Sequence, residues 1–160
     1  MRFIITAQAG EHGKQAQADG AFDEKLFADY MKFNEEMYRA GVLVASEGLN
    51  VAGGGARIEV KKGKRVVVDG PFAESKELVG GFYIVEVPSL EEAVQWALRC
   101  PTGMGFDDVL EIRALTGEAD LPEPILELIR TAAPTWSASF SASGRKSGSS
   151  RRARTPRSSR

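Results

Sequence analysis

Asp69-Gly70-Pro71-Phe72-Ala73-Glu74 is the stretch from which the fold is read, because it closes an extended run and makes the chain turn. Residues 65–69 are rich in valine and predict a strand. Pro71 then holds Gly70 extended, and Asp69 is placed to accept backbone N–H bonds in an Asx-type turn. A carboxylate at a strand end equally suits a general base or ligand acceptor at the mouth of a pocket. The residues alone leave both readings open.

Upstream, residues 56–60 pair with 65–69 as a hairpin around Lys61-Lys62-Gly63-Lys64, whose glycine suits a four-residue turn. Residues 42–45 form a continuous apolar run, which predicts a strand buried on both faces. Before it, Leu26, Tyr30, Phe33 and Met37 recur at helical spacing, with Phe27, Met31 and Tyr38 widening the stripe. Asp23 is the expected N-cap of this helix and Gly41 its left-handed C-cap. Phe3, Ile5 and Ala7 alternate along a first strand over residues 2–9. Downstream, residues 81–87 read as a strand that Pro88 stops. Ser89 and Glu92 form a capping box for a second helix expected to bury Leu90, Val94, Ala97 and Leu98. Residues 109–115 are the last strand, and Pro122 and Pro124 open a third, peripheral helix through Ile129.

Strand, helix, strand, hairpin, strand, helix, strand is the ferredoxin-like plan, an α+β fold with two helices on one face of a mostly antiparallel sheet. The expected domain covers residues 1–133, with a core over 1–116 and the peripheral helix over 121–132. Residues 134–160 are rich in Ser and Arg and predict a disordered tail.

Composition narrows the function classes. Of 22 acidic residues all precede Phe140, alongside 14 basic ones, so that this body carries −8. The last 20 residues hold seven arginines and lysines and no acid, a charge of +7. The body repels nucleic acid, and only the tail attracts it. No apolar run approaches the roughly 20 residues of a membrane span, and residues 1–9 lack the pattern of a secretory leader. Cys100 is the single cysteine, so an internal disulfide is impossible. A cytoplasmic setting is the expectation. No organic cofactor motif is visible, and one histidine with scattered carboxylates predicts no metal centre.

Several blocks, in order, resemble one family. Ala40-Gly41-Val42-Leu43, Glu47-Gly48-Leu49, Val68 to Glu77 with the Asp-Gly-Pro-Phe turn, Gly80-Gly81-Phe82-Tyr83, Glu91-Glu92-Ala93, Arg99-Cys100-Pro101 and Glu111-Ile112-Arg113 are similar to the DGPF branch of the YCII-related proteins. The resemblance implies a homodimeric ferredoxin-like α/β barrel with a pocket between sheet and helices near the subunit interface. It also implies a histidine from the first helix working with an aspartate near the end of the second. Tyr30 stands at the counterpart of that histidine, and there is no aspartate around Cys100-Pro101-Thr102. Relatives in this branch often carry His-Pro after Glu-Gly-Leu, where this chain has Asn50-Val51. The same resemblance suggests a bacterial companion of alternative sigma factors.

Two function classes follow. In the first, Asp69 is a base and Glu47 an acid or ligand orienter acting on a small polar molecule, since two nearby carboxylates divide their roles by separating in pKa. In the second, the domain binds a ligand or a sigma factor without turnover. In either, Asn50, Tyr30, His12, Pro71, Phe72 and Lys76 are the candidate ligand contacts. Each also has a plain structural reading: Tyr30 as core packing, His12 and Lys76 as exposed surface, Glu47 as a solvated loop residue. Glu111 and Arg113 share a strand face and predict an ion pair.

Overall fold

Alternation along the first strand sorts its side chains as period two requires. In the computed structural model, β1 (Arg2–Gln8) buries Phe3 and Ile5 and leaves Ile4 half-buried on its other side. The structure describes residues 1–8, 24–49, 55–69, 79–101 and 109–137. The chain divides into two units, Met1–Leu115 and Thr116–Arg160.

In the first unit, α1 (Glu24–Arg39) follows β1 and leads to β2 (Leu43–Gly48). The hairpin β3 (Ala56–Lys61) and β4 (Lys64–Asp69) comes next, then β5 (Val79–Glu86), α2 (Leu90–Ala97) and β6 (Val109–Ala114). Four strands form one sheet in the order β2-β5-β1-β6, with all neighbours antiparallel. That is the ferredoxin-like order, with the hairpin inserted between the second and third core strands as a separate two-stranded sheet.

The core lies between this sheet and its helices. Phe3, Ile5, Tyr83 and Val85 come from the sheet, Phe33 and Met37 from α1, and Ala93 and Ala97 from α2. Burying each large apolar side chain contributes about 1.5–3 kcal/mol. Phe33 meets the Tyr83 ring edge-on at 5.9 Å and Trp96 at 6.4 Å, joining both helices to the sheet. Gly41, at φ +73°, ends α1 in the left-handed conformation, and Val42 N–H donates to the Met37 carbonyl at 3.1 Å. Ser89 caps α2, its hydroxyl oxygen accepting from Glu92 N–H at 3.3 Å. Asp23, the expected cap of α1, lies outside the described residues.

Four details differ from expectation. Residues 42–45 were expected to be buried on both faces, yet β2 is an edge strand and Val44 is 51% exposed. The register slips between Leu43 and Ala45, so Val44 is a bulge residue and the apolar run loses its alternation there. Tyr38 stands clear of the core because it lies about 100° around the helix from the fully buried Met37. The second helix packs through Ala93 and Ala97, whose small side chains allow close approach, and leaves Leu90 and Leu98 exposed. In the hairpin the strands run one residue further than the sequence suggests. Lys62 (φ 51°) and Gly63 (φ 77°) alone make the turn, a two-residue type I′ connection.

In the second unit, a 3-10 turn (Glu118–Asp120) precedes α3 (Glu123–Ala132), which starts two residues inside the expected span of 121–132 and ends at its last residue. Arg130 bridges Glu123 at 2.8 Å and Glu127 at 3.1 Å along its polar side, and this pairing raises the guanidinium pKa. A further helical turn occupies residues 134–137. No helix among the described residues is long and apolar enough to cross a membrane.

Candidate functional site

The sheet's helix-facing side is built in cross-strand rows, and the rows lose bulk toward one end. Leu43, Val85, Phe3 and Ala114 form one row, and Ser46, Tyr83, Ile5 and Ile112 the next. The third row is Gly48, Gly81, Ala7 and Leu110, in which three of four positions carry a methyl group or nothing. Glycine in a strand interior weakens it and marks a place where something approaches the backbone closely. Above that row a cavity of about 360 Å³ opens between the sheet and the first turns of α1. This is within the roughly 300–1,000 Å³ of small-ligand sites.

Gly81 and Gly48 serve the cavity differently. A Cβ on Gly81 would lie 2.9 Å from the Glu47 carbonyl oxygen, so the strand approach there requires glycine. A Cβ on Gly48 would meet nothing within 4 Å. The emptiness above the floor is therefore a property of the sequence at Gly48.

Phe27, Tyr30, Met31 and Asn34 of α1 form the roof, and Tyr83 and Cys100 the inner wall. The α1 residues follow from helical periodicity: 27, 30, 31 and 34 share one side of the helix, next to the stripe of the buried pair Phe33 and Met37. The polar handles are few. Ser46 Oγ donates to Asn34 Oδ1 at 3.4 Å, spanning from β2 to α1. The Tyr83 hydroxyl lies 3.8 Å from Cys100 Sγ, and both are buried. Tyr30 borders the same space, so α1 and the residue that follows α2 meet at one cavity.

Glu47 borders the cavity, but not with its carboxylate. Its register partner is Phe82, which pairs in turn with Thr6, and Thr6 with Glu111. That row alternates with the helix-facing rows, so the pleat directs the Glu47 and Phe82 side chains to the outer face. Farther along the outer face, Gln8 Nε2 donates to Glu111 Oε2 at 2.8 Å, and Arg113 pairs with Glu111 as the strand alternation predicts. These partners, Arg113 first, hold the Glu111 carboxyl below its ordinary value.

Asp69 ends β4 opposite Ala56, in the hairpin sheet rather than the sheet that carries Glu47. Its side chain lies outside the described residues, as do His12, Asn50, Pro71, Phe72 and Lys76. Leu49, which lines the cavity, immediately precedes Asn50 in the chain. Among the described residues no group of three or more His, Cys, Asp or Glu side chains could hold a metal ion.

Sequence reading missed Asn34, Ser46, Gly48 and Gly81. The signal was present: Gly48 and Gly80-Gly81 interrupt two strands of one sheet, and antiparallel pairing sets them side by side.

The model of the YCII-related domain matches residues 1–116, the whole of the unit that holds this cavity. The chain belongs to the YCII-related domain family. An uncharacterised protein of Rhizobium meliloti (strain 1021) is 35% identical over 93 residues, which cover 58% of this chain and 75% of that protein. Among solved structures the chain is similar to 5-chloro-2-hydroxyhydroquinone dehydrochlorinase (TftG) from Burkholderia phenoliruptrix AC1100, in complex with 2,5-dihydroxybenzoquinone. The identity is 15% and the TM-score 0.41, over 76% of this chain and 100% of that one. At that distance nothing of its chemistry transfers.

Proposed function

We propose that this YCII-related domain binds a small, neutral, ring-sized molecule in the cavity roofed by α1. The observation that carries the reading is the side-chain-poor row Gly48–Gly81–Ala7 under an apolar, aromatic roof. Phe27, Tyr30 and Met31 supply contact area, while Asn34 and Ser46 supply a donor and acceptor pair at one edge. No charged side chain belongs to the helix-facing wall among the described residues, which favours a neutral ligand over an ion.

Binding is favoured over carboxylate catalysis by one observation: the register directs the Glu47 carboxylate to the outer sheet face. Proton transfer by Asp69 would be a separate step on the same ligand. Fragment screening by ligand-induced amide shifts tests the binding reading. Shifts centred on Tyr30, Asn34, Ser46 and Gly81, weakened by Asn34→Ala, are expected. Shifts confined to the outer sheet face would remove it. If a ligand that binds is also turned over, Asp69→Asn separates the two roles, and unchanged turnover would discard Asp69 as base.

The family fold pairs with a second proposal, homodimerisation through the outer face of the four-stranded sheet. Ile4, Phe82 and Ile84 are half-buried there among polar neighbours.

A further inference from the structure

The β3–β4 hairpin concentrates basic charge and exposes apolar side chains. Arg57, Lys61, Lys62, Lys64 and Arg65 concentrate five of the 14 basic residues that precede Phe140 into one short stretch. Against Glu59 and Asp69, the hairpin has five basic and two acidic residues, a net of +3. The remainder of the first 140 residues has 9 basic and 20 acidic, a net of −11. Lys61 and Lys64 stand directly opposite each other, an unfavourable like-charge pair, and Glu59 bridges Lys61 at 3.0 Å. Lys62 adopts a left-handed conformation that suits glycine or asparagine better. One face of the hairpin presents Ile58, Val60 and Val67 at 64%, 71% and 66% exposure, and Ile58 and Val67 are cross-strand partners. A two-stranded sheet with an open apolar face is marginal in water.

We propose that the hairpin is a docking arm for a second copy of this chain. Its basic tip meets the acidic surface of the other copy's body, and the Ile58–Val67 face is covered there. Charge complementarity selects this occupant: the negative charge that a +3 arm requires is supplied by the remainder of the first 140 residues of the same sequence, at a net of −11. Reciprocal docking under two-fold symmetry satisfies both arms and closes the assembly. Nucleic acid fits less well, because the acidic body repels it and the hairpin has no aromatic side chain for bases to stack on.

The arm's contribution differs from sheet-face burial in its salt dependence. Sedimentation equilibrium of the full chain at 50 and 500 mM NaCl reads it for the native sequence, for Lys62→Glu/Lys64→Glu/Arg65→Glu and for Ile58→Thr/Val67→Thr. Circular dichroism establishes that all three are folded, and the Arg-rich tail is common to all. The charge-reversed variant is expected to raise the dimer dissociation constant about tenfold at low salt and to lose most of the salt dependence. The threonine variant is expected to weaken association at both salts. A monomeric native chain, or unchanged dissociation constants in both variants, would overturn the proposal. So would a DNA duplex that binds the native chain and not the charge-reversed one while self-association is unchanged. The result is independent of ligand binding.

Discussion

Gly48 and Gly81 face each other across β2 and β5 on the helix side of the sheet, and only one of them is required by the backbone. Gly81 lets the Glu47 carbonyl oxygen approach to where a Cβ would lie at 2.9 Å, whereas Gly48 has open space above it. Gly81→Ala is therefore expected to destabilise the domain by about 1–3 kcal/mol, the cost of forcing backbone apart. Gly48→Ala is expected to stay within about 0.5 kcal/mol. Urea unfolding of the two variants checks the contrast.

Met37 is fully buried and its neighbour Tyr38 is 71% exposed. Met37→Ala is expected to cost about 2–5 kcal/mol and Tyr38→Ala less than about 0.5 kcal/mol. Equal costs in thermal or urea unfolding would mean that α1 is rotated on the sheet.

Much of the fold was legible because its signals are local. Phe3-Ile5-Ala7 alternation, the Tyr30-Phe33-Met37 spacing, Gly41 and Ser89 each act within a turn or two of the chain, and each appears where its chemistry directs. What was not legible depends on pairing. Whether residues 42–45 lie inside the sheet or at its edge is decided by β5, and no local pattern reveals it. The cavity arises only when Gly48, Gly81 and Ala7, far apart in sequence, fall into one row. The face that Glu47 occupies is likewise set by register, with a bulge at Val44 upstream. Asp69, the residue that opens the fold's signature turn, ends a strand as expected.

Glu111 gives a pH test. Its ordinary value of 4.5 is lowered in the folded chain by hydrogen bonds from Arg113 and Gln8. A depressed carboxyl stabilises the fold above its unfolded value and loses that contribution as pH falls through the lower folded value. Glu111→Gln is expected to lose less stability than the native chain as pH falls through that acid window, the remaining decline coming from other carboxylates such as Glu91. NMR titration of the Glu111 carboxyl is expected to place its midpoint below 4.5. A midpoint at or above that value would contradict the ion-pair assignment.

Ile4 and Ile84 are register partners on the outer sheet face. If that face joins two copies, Ile84→Lys is expected to raise the dimer dissociation constant by tenfold or more, because a buried charge without a partner costs several kcal/mol. Light scattering at micromolar concentration reads the mass. An unchanged dimer would move the interface elsewhere.

The cavity is the central claim, and Gly48→Leu tests it most directly by filling the space with a side chain that the backbone tolerates. The measurement is the affinity of a neutral ring fragment, selected on the native chain, for the native and filled domains, with thermal unfolding alongside. The account predicts at least a tenfold loss of affinity with the melting temperature retained or raised. Undiminished affinity in a folded Gly48→Leu domain would contradict it.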